Sequence, residues 1–270
     1  MNYEVKNNDI WLSQPDFDLD ETLDCGQAFR WEKISDVHGC TYKGHFLDRP
    51  LNVSQNGNSF IFHNTTETDF IGVWADYFDL HTDYGEIKKR LSEDETLSKA
   101  CDFAGGIRLL KQDTWECLCS FIISQNNNIP RIKGIISRLC EHYGHFPDAS
   151  EMALETPESL GFLRAGFRAK YLVDAAQKTA DKLIKPEEIR TMPIDEARKT
   201  LMQIKGVGPK VAECVLLFGT YRTEAFPVDV WIKRVMERFY PNGLPDVTKG
   251  IEGIAQQYLF HYVRNLNPQI

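Results

Sequence analysis

Residues 201–211, which read LMQIKGVGPKV, constrain the fold more than any other stretch of the chain. The apolar pattern at the start of this segment is typical of a helix, and it ends at Lys205. Gly206 and Gly208 then permit a tight turn. Pro209 suits the first position of a second helix, because the N–H that proline lacks is not used there. The segment therefore predicts two helices joined by a short hairpin.

A hairpin of this kind suits a phosphate ligand. Free N–H groups at the start of the second helix can hold a phosphate oxygen, and two glycines let another backbone come close. A helix-hairpin-helix of this type grips the DNA backbone without reading bases. A glycine turn alone would favour an ordinary pair of packed helices. The full string from Ile204 to Lys210 favours nucleic-acid binding instead.

Composition sets broad limits on the rest of the chain. Its 270 residues suit one large domain or two to three small ones, and 42% of them are apolar. No run of about 18 uncharged apolar residues could cross a membrane, and Met1–Ile10 lacks the apolar core of a signal peptide. Seven scattered cysteines argue against a disulfide framework. We therefore expect a cytoplasmic protein without a membrane partner, associated with the nucleoid if the source is prokaryotic.

The charge of the chain is unevenly distributed. The net charge is -8, but residues 1–100 carry 9 Lys and Arg against 19 Asp and Glu. Residues 101–270 carry 22 basic and 20 acidic side chains. A surface for nucleic acid must then lie beyond the first hundred residues and rely on local basic clusters.

The period of the apolar pattern changes along the chain. Residues 39–64 alternate in the manner of strands, and Asn56-Gly57 lies between two apolar runs as in a β-hairpin. Beyond Thr66 the period becomes helical, beginning with a stripe of Phe70, Val73, Trp74, Tyr77 and Phe78. Later helices are predicted over Thr114–Ile123, Ile129–Tyr143, Lys170–Lys182, Ile194–Gln203, Pro209–Phe218, Val230–Phe239 and Ile251–Asn265. The pattern predicts an N-terminal antiparallel sheet followed by an all-helical region.

Two residues in or after the hairpin carry groups that suit chemistry. Lys210 lies in the first turn of the second helix, where the positive end of the helix dipole favours a neutral, nucleophilic amine. A lysine that contacts phosphate is the simpler interpretation. Asp229 directly precedes the helix Val230–Phe239 and is placed as its N-cap. The same backbone donors would hold its carboxylate ionised, so that it could stabilise a cation or orient the lysine.

Several segments, in order along most of the chain, resemble the 8-oxoguanine DNA glycosylases of the helix-hairpin-helix superfamily. They are DCGQAFRW at 24–31, GIRLLKQD at 106–113, SQNNNI at 124–129, GFRAKY at 166–171, GVGPKVAEC at 206–214 and PVDV at 227–230. The resemblance implies an α+β fold, with an antiparallel sheet domain over 1–95 and two all-helical domains with a DNA and base cleft between them. One helical domain would comprise 96–119 and 229–270, and the other 120–228, with the hairpin at about 194–218.

By this resemblance the protein is a DNA N-glycosylase with abasic-site lyase activity. Lys210 would attack the sugar C1′ of an extruded 8-oxoguanine nucleotide opposite cytosine, forming a Schiff base after the purine leaves. β-Elimination would then nick the strand. Asp229 would stay ionised and support the developing positive charge. The chemistry needs neither a metal nor a redox cofactor, and the expected partner is lesion-containing duplex DNA bound by a monomer.

The resemblance also implies a pocket for the base. The carbonyl of Gly26 would accept the N7 hydrogen that distinguishes 8-oxoguanine from guanine. Cys214 and Phe260 would enclose the purine ring, and Gln256 would meet its Watson–Crick edge. Pro227 would form part of the pocket wall.

A second implied set contacts the DNA. Asn126 would fill the gap left by the extruded base, and Arg131 and Arg168 would read the orphaned cytosine. Phe167 replaces a tyrosine that is common in the family, and Trp231 replaces a histidine that often contacts phosphate. The hairpin would add Gly206, Gly208 and Val211.

Alternatives of two kinds stay open: a different glycosylase on the same scaffold, and a DNA-binding module without enzymatic activity. An alkylpurine glycosylase on the same scaffold would share the aspartate position but lacks the catalytic lysine, so Lys210 argues against it. The iron–sulfur glycosylases carry four C-terminal cysteines, whereas the last cysteine here is Cys214. A non-enzymatic DNA-binding module would need neither Lys210 nor Asp229.

Overall fold

The N-terminal part of the chain forms an antiparallel sheet. The computed structural model describes residues 1–36 and 39–266. Within them the sheet has six strands in the order β1-β2-β6-β5-β4-β3. The strands are β1 (Asn2–Lys6), β2 (Asp9–Ser13), β3 (Trp31–Ser35), β4 (Cys40–Phe46), β5 (Arg49–Asn56) and β6 (Ser59–His63).

The β5–β6 hairpin forms where the sequence predicted it. Asn56 pairs with Ser59, so Gly57 and the residue after it make a two-residue turn. Gly57 has a φ of 59°, in the left-handed region that glycine adopts without strain. Phe60 and Phe62 are fully buried on the covered face of β6, as the alternating pattern requires.

Most of the regular structure outside the sheet is helical in the described chain, which confirms the α+β class expected from the sequence. The helices are α1 (Leu19–Leu23), α2 (Glu67–Asp69), α3 (Ala75–Tyr77), α4 (Tyr84–Leu91), α5 (Glu95–Phe103), α6 (Thr114–Ser124), α7 (Ile129–Tyr143), α8 (Ala149–Met152), α9 (Ala169–Ala180), α10 (Pro186–Ile189), α11 (Ile194–Leu201), α12 (Pro209–Cys214), α13 (Val230–Phe239) and α14 (Glu252–Leu266). In this part of the chain none is long and apolar enough to cross a membrane.

The helix ends show how far local sequence rules reach. α7 and α13 begin at the predicted residues because Asn128 and Asp229 cap their first turns, and both helices also end where predicted. The predicted helix Pro209–Phe218 instead divides into α12 and a wider π-helical turn over Val215–Gly219. The predicted aromatic stripe is interrupted in the same way by a π-helical stretch, Phe70–Trp74, between α2 and α3.

The chain divides into two compact units. The sheet unit comprises Met1–Gln27, Trp31–Lys111 and the chain from Val228 on, and the hairpin unit comprises Ala28–Arg30 and Gln112–Pro227. The core of the sheet unit is aromatic, with Trp31, Trp74 and Phe78 all buried beside one another. The three-domain boundaries expected from the sequence stay a prediction.

Candidate active site

The helical hairpin is held in place by α9. The turn between α11 and α12 is closed by a hydrogen bond from the Val207 N–H to the Ile204 carbonyl, 3.0 Å long. Asp174 on α9 accepts the Lys205 N–H at 2.7 Å through Oδ2. The same oxygen accepts a bond of 2.8 Å from Lys178, whose ammonium also reaches the hairpin backbone. These contacts fix where α12 begins.

The two glycines of the hairpin have different physical reasons to be glycine. Gly206 has a φ of 81°, and a Cβ there would lie 2.4 Å from the ring of Tyr171. Gly208 has an ordinary φ of -98°, and a Cβ there would meet nothing within 4 Å in the described chain. Of these two hairpin positions, the fold therefore requires glycine only at 206. The open space at Gly208, directly before the start of α12, suits close approach of a ligand's backbone.

Lys210 is the second residue of α12 and is half-buried in the hairpin unit. Its ammonium lies over the ring of Phe121, 5.4 Å from the ring centroid. Phe121 is itself fixed, since it stacks on Phe218 at 5.3 Å and meets the edge of Phe29 at 5.9 Å. The Lys210 amine is thus held over the face of an aromatic ring whose own position is fixed by packing.

Asp229 caps α13 in the sheet unit, as the sequence predicted. Its Oδ1 accepts the N–H groups of Trp231 at 3.0 Å and Ile232 at 2.8 Å. Oδ2 makes no hydrogen bond within residues 1–36 and 39–266. The cap therefore orients the carboxylate through one oxygen, and an oriented carboxylate can stabilise a developing cation. Trp231 is half-buried beneath the guanidinium of Arg234, 5.1 Å from the ring centroid.

The predicted base contacts of the sheet unit lie on α14 and in the loop after α1. Gln256 is buried and Phe260 is half-buried one turn later, with the guanidinium of Arg264 5.8 Å from its ring centroid. Gly26 has a φ of 89°, which places it in the conformation that glycine favours.

Gln27 fixes the loop that contains Gly26, and sequence reasoning missed this role. Its buried amide donates to the carbonyls of Thr22 at 2.9 Å and Arg108 at 2.8 Å. Its Oε1 accepts the Leu110 N–H at 3.0 Å. A single side chain therefore joins the loop to the segment around Arg108, and the only hint in the sequence is that Gln27 lies in the string DCGQAFRW.

The three consecutive asparagines have three separate roles. Asn127 donates to the Ile123 carbonyl at the end of α6 at 3.1 Å, and Asn128 caps α7 by accepting the Arg131 N–H at 3.0 Å. Asn126 is exposed and has a left-handed φ of 48°. The Asn126 side chain makes no hydrogen bond among the described residues, which suits its expected insertion into DNA.

Arg168 occupies a different environment from the exposed position that reading a base would suggest. Its side chain is 2% exposed, and its guanidinium donates to the carbonyls of Gln125, Asn126 and Ala165. Burial lowers its pKa, and the nearby charge of Arg131 adds to this effect. Arg168 therefore braces the turn that carries Asn126, and its contact with cytosine stays a prediction.

The other expected DNA and base contacts in the hairpin unit fall into two groups. Arg131 and Phe167 are exposed, with Arg131 donating to the Arg164 carbonyl at 3.3 Å and Phe167 meeting Tyr171 edge-on. The buried group comprises Val211, Cys214 and Pro227. Lys210 and the asparagine turn belong to the hairpin unit, and Gly26, Asp229, Trp231, Gln256 and Phe260 belong to the sheet unit.

Two protein-family models match adjacent segments that together cover most of the chain. The N-terminal domain of 8-oxoguanine DNA glycosylase matches residues 9–118. The HhH-GPD superfamily of base excision DNA repair proteins matches residues 119–254, which include the hairpin and Lys210. This chain belongs to the 8-oxoguanine DNA glycosylase family. The family's N-terminal sheet and helical hairpin region correspond to the architecture described above.

Solved structures of the family cover nearly all of the chain. MBOgg1, solved in complex with a low-affinity DNA ligand, is 41% identical, covers 98% of both chains and superposes with a TM-score of 0.91. The Clostridium acetobutylicum 8-oxoguanine glycosylase/lyase, solved with dsDNA containing cytosine opposite 8-oxoG, is 36% identical, covers 99% of both chains and has a TM-score of 0.89.

A relative from Saccharomyces cerevisiae, an N-glycosylase/DNA lyase, is 36% identical over 161 residues. The match covers 50% of this chain and 42% of the yeast protein. The chain thus spans less than half the length of that relative.

The two glycines of the hairpin should respond differently to alanine. Gly206→Ala should lower the free energy of unfolding by more than about 1 kcal/mol, because the new Cβ meets Tyr171 and the φ is unfavourable. Gly208→Ala should leave stability within about 0.5 kcal/mol but weaken DNA binding. Urea unfolding and fluorescence anisotropy with a DNA duplex measure the two effects. Equal DNA affinity for Gly208→Ala and the wild type would contradict this division.

Removing the buried guanidinium should destabilise the hairpin unit. Arg168→Gln should lower the free energy of unfolding by about 2 kcal/mol, because three carbonyls lose their charged donor. Arg131→Gln is the matched control, since that exposed side chain makes one long hydrogen bond. Urea unfolding of both variants tests the difference, and equal stabilities would show that Arg168 is not a brace.

Proposed function

We propose that this protein is a bifunctional DNA repair enzyme that excises 8-oxoguanine opposite cytosine from duplex DNA and nicks the resulting abasic site. The observation that carries the proposal is the position of Lys210 in the first turn of α12. It lies two residues after Gly208, where the backbone is open to a ligand. Its support is the 41% identity to MBOgg1 and the 36% identity to the Clostridium glycosylase/lyase over nearly the whole chain.

The reaction requires one amine and one carboxylate. The Lys210 amine forms a bond to C1′ while the N-glycosidic bond breaks, and the purine leaves with the bonding electrons and takes up a proton. The amine nitrogen loses its proton as the sugar ring opens to a Schiff base. Loss of a C2′ proton then expels the 3′ phosphate by β-elimination, and water releases Lys210. Asp229 stabilises the positive charge that develops on the sugar.

Base recognition and strand contact use the residues that match the family's motifs. Gly26, Cys214, Pro227, Gln256 and Phe260 would receive the extruded base. The side chains of Asn126, Arg131 and Phe167 are exposed and would contact the DNA strand opposite the lesion. Arg168 supports Asn126 through a hydrogen bond to its carbonyl. Gly206, Gly208, Val211 and Trp231 complete the proposed DNA-binding set.

The partner of this activity is duplex DNA that carries the lesion. We further propose that the enzyme acts as a monomer in the cytoplasm and needs no cofactor, because an amine and a carboxylate supply the chemistry. An alkylpurine glycosylase, or a DNA-binding module without activity, would form no covalent link through Lys210, so the experiment below separates them from the proposed enzyme.

Borohydride should trap a covalent complex between the wild type and a duplex that contains 8-oxoguanine opposite cytosine, because it reduces the Schiff base. Lys210→Gln should abolish trapping and retain DNA binding. The matched control is Lys199→Gln, which removes an equal charge from the exposed side of α11 and should trap normally. Gel electrophoresis of labelled duplex after reduction measures the complex. Trapping by the Lys210→Gln variant would place the nucleophile elsewhere.

Preference for cytosine should depend on Arg131. Arg131→Gln should reduce the ratio of excision opposite cytosine to excision opposite adenine by about tenfold, since a bidentate base contact contributes roughly 1–3 kcal/mol. Single-turnover excision with each of the four opposing bases gives the ratio, and nicking of a preformed abasic site checks that the chemistry is intact. An unchanged ratio would remove Arg131 from cytosine recognition.

A further inference from the structure

A buried chain of hydrogen bonds in the sheet unit includes Gln256. The Cys25 thiol lies 3.6 Å from Oε1 of Gln257, and Nε2 of Gln257 donates to Oε1 of Gln256 at 2.7 Å. The three residues are 2%, 5% and 4% exposed. Neither Cys25 nor Gln257 is among the base contacts that the family motifs assign, and yet they join the Gly26 loop to α14.

The direction of this chain follows from the donors at its start. The Cys25 thiol donates toward two oxygens, the Thr22 carbonyl at 3.3 Å and Oε1 of Gln257 at 3.6 Å. Both neighbours of the sulfur in this chain are acceptors, so the thiol is the donor that Oε1 of Gln257 faces. Burial raises the pKa of Cys25 to about 11, so the sulfur keeps that proton near neutral pH and acts as a donor.

A donor at Cys25 decides the orientation of both amides. Gln257 must turn its oxygen toward the thiol and its nitrogen toward Gln256, and Gln256 must then present its oxygen to Gln257. Reversing Gln257 alone would bring two carbonyl oxygens together in a buried site, where unpaired polar atoms are costly. The carboxamide of Gln256 thus has one favoured orientation.

This orientation matters because the two ends of an amide are not equivalent. A purine's Watson–Crick edge presents donors and acceptors in a fixed order, and a reversed amide would oppose donor to donor. We propose that Gln257, oriented by Cys25, is a positioning residue that fixes the carboxamide of Gln256 for selection of the damaged purine. The inference rests on the proposed function, in which Gln256 meets the base.

The network also ties together the two parts of base recognition in this unit. Cys25 directly precedes Gly26, whose carbonyl is the proposed acceptor for the distinguishing hydrogen. Gln27 on the other side is fixed by three hydrogen bonds. The loop and α14 therefore hold their relative positions through side chains that do not themselves meet the base.

The experiment compares a step that needs the base with a step that does not. Gln257→Leu keeps the side-chain volume and removes both hydrogen bonds. We expect single-turnover excision of 8-oxoguanine to fall about tenfold, the equivalent of one well-placed hydrogen bond. Nicking of a preformed abasic site should stay within about twofold, because that substrate has no base to orient. The ratio of these two rates is the readout.

A pair of variants at Cys25 tests the relay independently. Cys25→Ser retains a buried donor and should keep the ratio within about twofold of the wild type, whereas Cys25→Ala should lower it by about threefold, as a weak donor is lost. Gln55→Leu is the control for general destabilisation. Gln55 is a buried glutamine of the same unit that bonds Leu19, Asp18 and Gly57, and its loss should lower the melting temperature without changing the ratio.

The outcomes separate the inference from the function on which it rests. A folded Gln257→Leu variant with the wild-type ratio, or a Gln55→Leu variant with an equally lowered ratio, would overturn the positioning role. If Gln257→Leu does not fold, the Cys25 pair decides: equal ratios for serine and alanine would overturn the relay. A wild type that neither excises 8-oxoguanine nor nicks abasic DNA would instead overturn the proposed function.

Discussion

The contact between Gly206 and the ring of Tyr171 is the constraint on which the candidate chemistry of the hairpin unit depends. Tyr171 fills the space where any larger residue at 206 would place its Cβ. Asp174, one turn later on α9, accepts a hydrogen bond from the Lys205 N–H. Together they set the point at which α12 starts. Gly208 and Lys210 take their positions from that start, so a contact with the hairpin backbone decides where the Lys210 amine lies.

Buried polar side chains play a similar part in the loops that carry the other proposed contacts. Gln27 holds the loop of Gly26, Arg168 holds the turn of Asn126, and Gln257 holds the amide of Gln256. Each satisfies backbone or amide groups that burial would otherwise leave unpaired. The residues proposed to meet a ligand are thus held in place by other buried side chains, and Arg168 is the one residue given both roles.

Local features of the sequence predicted well wherever the cause was itself local. The ends of α7 and α13, the capping role of Asp229 and the β5–β6 turn depend on neighbouring residues, which a short window contains. The π-helical turn after α12 and the bracing role of Arg168 were not predictable in this way. The bracing role depends on partners far along the chain, since Gln125 and Arg168 are 43 positions apart in the sequence.

The sequence by itself determined the fold class, the family and the identity of the candidate nucleophile, because a helical hairpin with GVGPK and the ordered motifs around it specify them without coordinates. Only the tertiary structure decided which hairpin glycine the fold requires, which asparagine keeps its side chain available, and that Gln257 donates a hydrogen bond to Gln256. The physical reason is that steric clearance and hydrogen-bond direction are properties of atoms brought together by folding, and spacing along a chain does not encode them.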